Sequence, residues 1–158
     1  MAGDIRIRQY DHKRDAASFR ALNYRTFRDS IPPDEKIDEA DFKRHYEWLI
    51  SHFMPHDQTR NTVFVAELDQ RYAGHIWIGT QTDFFTRRVD PWVFDLSVVE
   101  EFQSRGVARA LHEHAADWLR ERGATVVGLQ VMAHNKEASK VYLKLGYVPR
   151  ATSLKLEL

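Results

Sequence analysis

The sequence predicts an α/β domain in which a mixed sheet carries helices on both faces. Three observations predict it. Apolar residues alternate over several short runs in the first two thirds of the chain, the signature of strands. From Arg105 the apolar spacing changes to a period of 3.6. The second half then reads strand, glycine turn, helix, strand, helix, strand, and a β-α-β-α-β tail after antiparallel strands makes a mixed sheet.

The elements follow in order. Ile5, Ile7 and Gln9 alternate with Arg6, Arg8 and Tyr10 in a first short strand. Residues 11–28 read as a helix with Ala16, Phe19, Arg20 and Asn23 at helical spacing, stopped by Ser30-Ile31-Pro32-Pro33. Phe42, His45, Tyr46, Leu49 and Phe53 mark a second helix, whose first turns carry Asp34, Glu35, Asp38, Glu39 and Asp41 against the helix dipole. Thr62 to Leu68 and Arg71 to Gly79 form two strands joined by a tight turn at Asp69-Gln70. Val63 and Val65 alternating with Phe64 and Ala66 suit a sheet covered on both faces. Trp92 to Val99 is the next strand. Val107, Ala110, Leu111, Ala115, Trp118 and Leu119 form the stripe of a third long helix, closed by Gly123. Thr125 to Met132 reads as a buried strand, Lys136 to Leu145 as a short helix stopped by Gly146, and Leu154, Leu156 and Leu158 as a last strand.

Composition narrows the function. A length of 158 residues with 43% apolar and 29% charged residues suits one domain over residues 1–158. Lys+Arg and Asp+Glu are both 23, which argues against a nucleic-acid surface. The chain has no cysteine, so disulfides, thiolate metal sites and a cysteine nucleophile are excluded. The segment Met1-Ala2-Gly3-Asp4-Ile5-Arg6 lacks an apolar core, and no 18-residue apolar run occurs. No signal peptide or membrane span is therefore visible, and a soluble cytoplasmic protein is expected.

The most informative local feature is Gln103-Ser104-Arg105-Gly106-Val107-Ala108, which joins the strand ending at Val99 to a helix. Such a turn presents unpaired backbone N–H groups at the positive end of a helix, a site for a diphosphate. Gly106 admits close approach, and Arg105 and Arg109 add charge. The sequences GxxxxGK[ST] and GxGxxG are absent. A lone glycine in such a turn is equally an ordinary connection.

The longer run Leu96-Ser97-Val98-Val99-Glu100-Glu101-Phe102-Gln103-Ser104-Arg105-Gly106-Val107-Ala108-Arg109-Ala110-Leu111 resembles the acetyl-CoA motif of the GNAT superfamily of N-acetyltransferases. The core of that motif, [QR]-x-x-G-x-[GA], is met by Gln103, Gly106 and Ala108. Downstream, Asn135 to Tyr147 resembles the family's second motif, N-x-x-A-x-x-x-Y-x-x-x-G-[FY]. The resemblance implies a GNAT fold, with a mixed, mostly antiparallel sheet of about six or seven strands and about four helices. It implies acetyl-CoA as co-substrate and direct transfer of the acetyl group to an amine. Backbone groups of Leu96 and Val98, with Ser97 between them, would hold the pantetheine arm. The N–H groups from Ser104 through Arg105, Gly106, Val107 and Ala108 to Arg109 would take the pyrophosphate. Asn135 would bond the arm, although Asn is equally a good helix cap. Tyr142 would serve the departing thiolate, with core packing beside Ala138 and Leu145 as the competing explanation.

An alkylamine with a pKa near 10.4 is only about one part in a thousand neutral at pH 7, so a proton acceptor is required. Several relatives place a glutamate where this chain has Gln130, which cannot serve. Asp95, Glu67, His75 and His134 remain as candidates, and a hydrogen bond to neighbouring backbone is the alternative role for Asp95. No metal is expected: His112 and His114 point in different directions on a helix, and Pro55 separates His52 from His56. The acceptor site is expected from the first two helices and the loop from Gln81 to Pro91, with Trp77, Phe84, Phe85, Trp92 and the acidic run from Asp34 to Asp41 nearby. Only Tyr147 to Leu158 follow Gly146. Many relatives have a closing hairpin there, and its loss here is expected to leave the acceptor side open or completed by a second subunit of a homodimer. Three functions fit: acetylation of a small-molecule amine, acetylation of a protein or peptide N-terminus, and acyl-CoA sensing without turnover.

Overall fold

The computed structural model describes residues 4–158; residues 1–3, the start of the N-terminal segment read above, lie outside the described residues. The elements run β1 (Ile5–Gln9), α1 (His12–Asp29), α2 (Glu39–Phe53), β2 (Thr62–Leu68), β3 (Arg71–Thr82), β4 (Val89–Val98), a single 3-10 turn (Glu100–Phe102), α3 (Val107–Glu121), β5 (Gly128–Leu129) and α4 (Lys136–Lys144). The strands lie in the order β1-β2-β3-β4-β5, antiparallel through β4 and parallel between β4 and β5.

Caps and turns explain the boundaries. The Asp11 carboxylate accepts the N–H groups of Lys13 and Arg14 and opens α1. Asp38 does the same for α2 through Ala40 and Asp41, so that helix starts at Glu39, and Asp34 and Glu35 precede it. Asp69 and Gln70 both take positive φ, as a tight two-residue hairpin between right-twisted strands requires.

Two expectations need correction. The sheet of the described residues has five strands, not six or seven. The run read as a strand from Thr125 to Met132 keeps only Gly128–Leu129, paired with Trp92 and Val93. Val126 and Gln130 on either side are exposed, because β4 is the only neighbour available and the chain diverges from it. The alternating Leu154, Leu156 and Leu158 form no strand and lie exposed, at 90%, 82% and 116%. Alternation specifies a strand only where one face has something to bury against.

Each face of the sheet has its own core. Phe64, Ala66, Leu68, Ile76, Ile78 and Val93 pack beneath Val107, Leu111, Ala115 and Leu119 of α3. On the other face Val63, Val65 and Trp77 meet Phe19 of α1 and Phe42, Tyr46 and Ile50 of α2. The expectation that β2 is covered on both sides holds.

The register between β3 and β4 contains one irregularity. Trp77 lies opposite Asp95 and Ile78 opposite Val93, so Phe94 is an extra residue on β4, a β-bulge. A second shift lies between Ala66 and Glu67 in the pairing of β2 with β3. None of the described helices is long and apolar enough to cross a membrane.

Candidate active site

The site begins where the sheet stops. β4 pairs with β5 only at Trp92 and Val93, so the rest of β4 has a free edge on that side. The Val99 N–H bonds the Ala73 carbonyl on β3, and strand residues present their backbone groups to alternate edges. Leu96 and Val98 therefore turn theirs to the open edge. A cleft of about 200 Å³ lies there, lined by Thr26 and Asp29 of α1, by Leu96, Ser97 and Val98, and by Asn135. The side chain of Gln103 reaches back to donate to the Val98 carbonyl at 3.3 Å.

At the end of this edge the chain turns into α3 through two left-handed residues, Ser104 (φ 60°) and Gly106 (φ 86°). A Cβ at Gly106 would meet nothing closer than Ile5 at 3.9 Å, so the positive φ, rather than space, calls for glycine there. No acidic residue stands in the first turn of α3. The N–H groups opening that helix have no partner within it, and a helix start of this kind favours an anion. The two arginines point elsewhere: Arg105 lies over the Phe102 ring and 3.6 Å from Asp69, and Arg109 pairs with Glu113 at 2.8 Å.

Asn135 caps α4, its Oδ1 accepting the Ala138 N–H at 3.2 Å, while it also lines the cleft. The capping role is present in the geometry, and the residue stands at the cleft as well. One face of α4 carries Asn135, Ala138, Tyr142 and Leu145, all half-buried; no residue of α4 is fully buried. That face borders an opening rather than a closed core. The Tyr142 ring meets Tyr147 edge-on at 5.8 Å. Burial first, then the negative charge of Asp95, pushes the Tyr142 pKa well above that of a free phenol, so the group stays a protonated hydroxyl with a proton to donate.

The candidate bases separate clearly. Glu67 is held by Arg8 at 2.8 Å and by Arg14, and His134 bonds the Asp29 carbonyl at 3.0 Å. Asp95 and His75 come together: the His75 Nε2 lies 2.6 Å from one Asp95 carboxylate oxygen, which also accepts the Asn23 side-chain amide at 2.6 Å. The other carboxylate oxygen accepts the Ser97 hydroxyl at 2.5 Å. Asn23 in turn accepts the Tyr46 hydroxyl at 2.8 Å, and the Tyr72 hydroxyl lies 2.6 Å from His75 Nδ1. Asp95 thus bonds side chains, not the neighbouring backbone. Asn23, Tyr46, Tyr72 and Thr26 had no local signal in the sequence, although a histidine at an inward position of β3 offered one.

The aromatic residues expected at the acceptor site do not gather. Trp77 is in the core with its indole N–H on Asn61 at 2.9 Å, Phe84 and Phe85 are nearly fully exposed at the tip of the β3–β4 hairpin, and Trp92 sits where β4 meets β5. Of the acidic run, Asp38 caps α2, Glu39 pairs with Arg28 and Glu35 with Lys155. A second hollow, about 230 Å³, lies between α1 and α2 beside Tyr10, Phe19, His12 and His56, away from the open edge of β4. Among the described residues no group of three or more His, Cys, Asp or Glu side chains could hold a metal.

The site is thus a free strand edge that runs into a glycine-opened helix within a mixed α/β sheet. The chain belongs to the acetyltransferase (GNAT) family, whose model matches residues 18–147. A putative acetyl transferase from Pyrococcus furiosus is similar in structure, with a TM-score of 0.80 at 23% identity, over 98% of this chain and 100% of that one. An aminoglycoside acetyltransferase from an uncultured soil metagenomic sample, in complex with sisomicin, superposes with a TM-score of 0.66 at 15% identity, covering 98% and 95% of the two chains. In sequence, the [ribosomal protein bS18]-alanine N-acetyltransferase of Escherichia coli K12 is 38% identical over 55 residues. That match spans 35% of this chain and 37% of the relative.

Proposed function

We propose that this protein transfers the acetyl group of acetyl-CoA directly to the primary amine of a small molecule. The observation that carries the reading is the free edge of β4, with Leu96 and Val98 facing a cleft that Asn135 lines and that ends at the Gly106 turn. In this reading the backbone of Leu96 and Val98 holds the pantetheine amides as a neighbouring strand would. The Gln103 side chain gives up the Val98 carbonyl to make room. The N–H groups from Ser104 to Arg109 take the pyrophosphate, and the Asn135 amide N–H group bonds the arm.

The chemistry needs three aids. The thioester oxygen gains charge, and a backbone N–H on the free edge of β4 stabilises it, a contribution of about 3–4 kcal/mol for such donors. The sulfur must be held as it leaves, and Tyr142 donates that hydrogen bond. The amine must lose a proton; beside Asp29 on the rim of the cleft, Asp95 is a buried carboxylate that reaches it through Ser97. A covalent acetyl-cysteine step has no residue to use.

Gln130 in place of a glutamate supports a small amine over a peptide terminus. A second reading, acetylation of a protein N-terminus, is favoured by the short match to the ribosomal-protein enzyme. Release of free CoA thiol across polyamines, amino acids, aminoglycosides, aromatic amines and short peptides separates them. Turnover confined to one small-amine class is expected. Turnover of peptides alone would replace the first reading by the second, and tight acetyl-CoA binding without any turnover would leave a sensor.

A further inference from the structure

A fully buried histidine bonded to a buried carboxylate is costly unless every polar atom is satisfied, and here the satisfied chain leads to the cleft. It runs from Tyr72 through His75 and Asp95 to Ser97, and Ser97 and its neighbour Thr26 line the opening. We propose that Ser97 is the group that takes the proton from the acceptor amine, with Asp95 behind it as the proton's destination and His75 as the residue that positions Asp95. This rests on the acetyl-transfer reading above and names the proton path within it.

The hydrogen-bond inventory fixes the direction. Ser97 has one proton and gives it to Asp95 at 2.5 Å. The contact of 2.8 Å between the Thr26 and Ser97 hydroxyls must then use the Thr26 proton, with the Leu22 carbonyl at 3.1 Å as the alternative acceptor. Whether Thr26 gives its proton to Ser97 or to the Leu22 carbonyl, the Ser97 oxygen keeps at least one lone pair for a proton arriving from the cleft. The His75 Nε2–H and the Asn23 amide both donate to the far oxygen of Asp95, leaving the near oxygen to Ser97.

In the step, an N–H bond of the ammonium breaks and its proton bonds the Ser97 oxygen, while the original hydroxyl proton passes to Asp95. The carboxylate becomes a carboxylic acid, and the nitrogen lone pair freed by the transfer attacks the thioester carbonyl. The C–S bond then breaks with its electron pair on sulfur, which Tyr142 holds by hydrogen bond, and the nitrogen gives up its second proton to that sulfur, leaving a neutral amide and free CoA thiol. The proton on Asp95 returns to solvent through Ser97 after the product leaves. The negative charge of Asp95 is one of the causes that raise the Tyr142 pKa. Its neutralisation lowers that barrier and makes Tyr142 a stronger hydrogen-bond donor when the sulfur departs. Base and acid are thereby coupled.

The groups that bear on Asp95 are few. They are Asn23 and Thr26 from α1, Tyr46 from α2, Tyr72 and His75 from β3, Ser97 from its own strand and Tyr142 from α4. Tyr72 at the far end also feels Asp15 and Arg8.

Ser97→Ala tests the path with whichever alkylamine the wild type turns over, acetyl-CoA affinity and melting temperature being measured alongside. The expected loss in kcat/KM is about 100-fold at pH 7, the lower end of general-base contributions. The gap to wild type should close as pH approaches about 10, where the amine is already neutral. Acetyl-CoA affinity should not change. His75→Gln, which keeps an N–H for Asp95, should show the same pH-dependent shape with a smaller loss. A kcat/KM within about twofold of wild type at pH 7, or a loss that is the same at every pH, overturns the path while leaving acetyl transfer intact. A wild type that binds acetyl-CoA and acetylates no amine overturns the transfer reading, and the path with it.

Discussion

On the α3 side of the sheet the core is aliphatic apart from Phe64 and Phe102, whereas the α1–α2 side holds an aromatic core and the buried polar groups. Asp15, Asn23, Asn61, Glu67, His75, Asp95 and Ser97 are all buried, and each lies on or bonds to that second side. Among the described residues no buried side-chain polar atom lacks a partner. The difference teaches a division of labour. An aliphatic face stabilises through burial alone, without direction, while a satisfied polar network fixes the orientation of a few groups.

The sharpest way to break this comparison is Asp95→Asn. It should lower kcat by about 1,000-fold, within the range for removing a general base, while the protein still melts cooperatively. A loss of folding without a separate loss of turnover in the folded fraction would make the network structural. On the opposite face Leu111→Ala should cost about 3 kcal/mol of stability in a urea titration, the usual price of a buried leucine, with kcat per folded molecule unchanged. Tyr142→Phe should lower kcat by about 30-fold with acetyl-CoA affinity nearly constant in a binding titration. An unaffected kcat would return Tyr142 to packing.

A smaller effect sharpens the comparison through pH. Burial alone would raise the Asp15 pKa, but the Arg8 guanidinium at 2.7 Å and the Asp11 N–H at 2.8 Å outweigh it and hold the carboxyl below its usual range. A depressed folded-state pKa gives stability that is present above the unfolded value near 4 and lost as pH falls through the folded one. Asp15→Asn should therefore flatten the acid limb of a stability profile and cost about 1–2 kcal/mol at pH 7. At the alkaline end, burial raises Tyr10 and Tyr147 to about 12. Their share of stability is complete below about 10 and fades as pH rises toward 12.

Much of this was legible in the sequence where the signal is local. The strands β1 to β3, the helices α1, α3 and α4, and the Gly106 turn follow from spacing within ten or fifteen residues. The exposed tail and the short β5 were not legible, because alternation states which residues could share a face and not whether a partner lies beside it. The network was hidden for another reason. Asn23 and Asp95 are 72 residues apart, and their hydrogen bond is a property of the packed helix and sheet. Only the polar residues His75 and Asp95 inside otherwise apolar strands hinted at it.

The bulge at Phe94 deserves to be seen as a change of parity. In an unbroken strand residues 93, 95 and 97 would share one side, and Val93 lies on the aliphatic side. The extra residue lets Phe94 and Asp95 both face α1, with Ser97 following. Asp95 and Ser97 are thus one residue out of phase with the first half of their own strand. Pairing the same residues in unbroken register, without the bulge, would turn both to the aliphatic side with every side chain of the network still encoded. The orientation of the network is therefore stored partly in the register of the strand, separate from the identity of its residues.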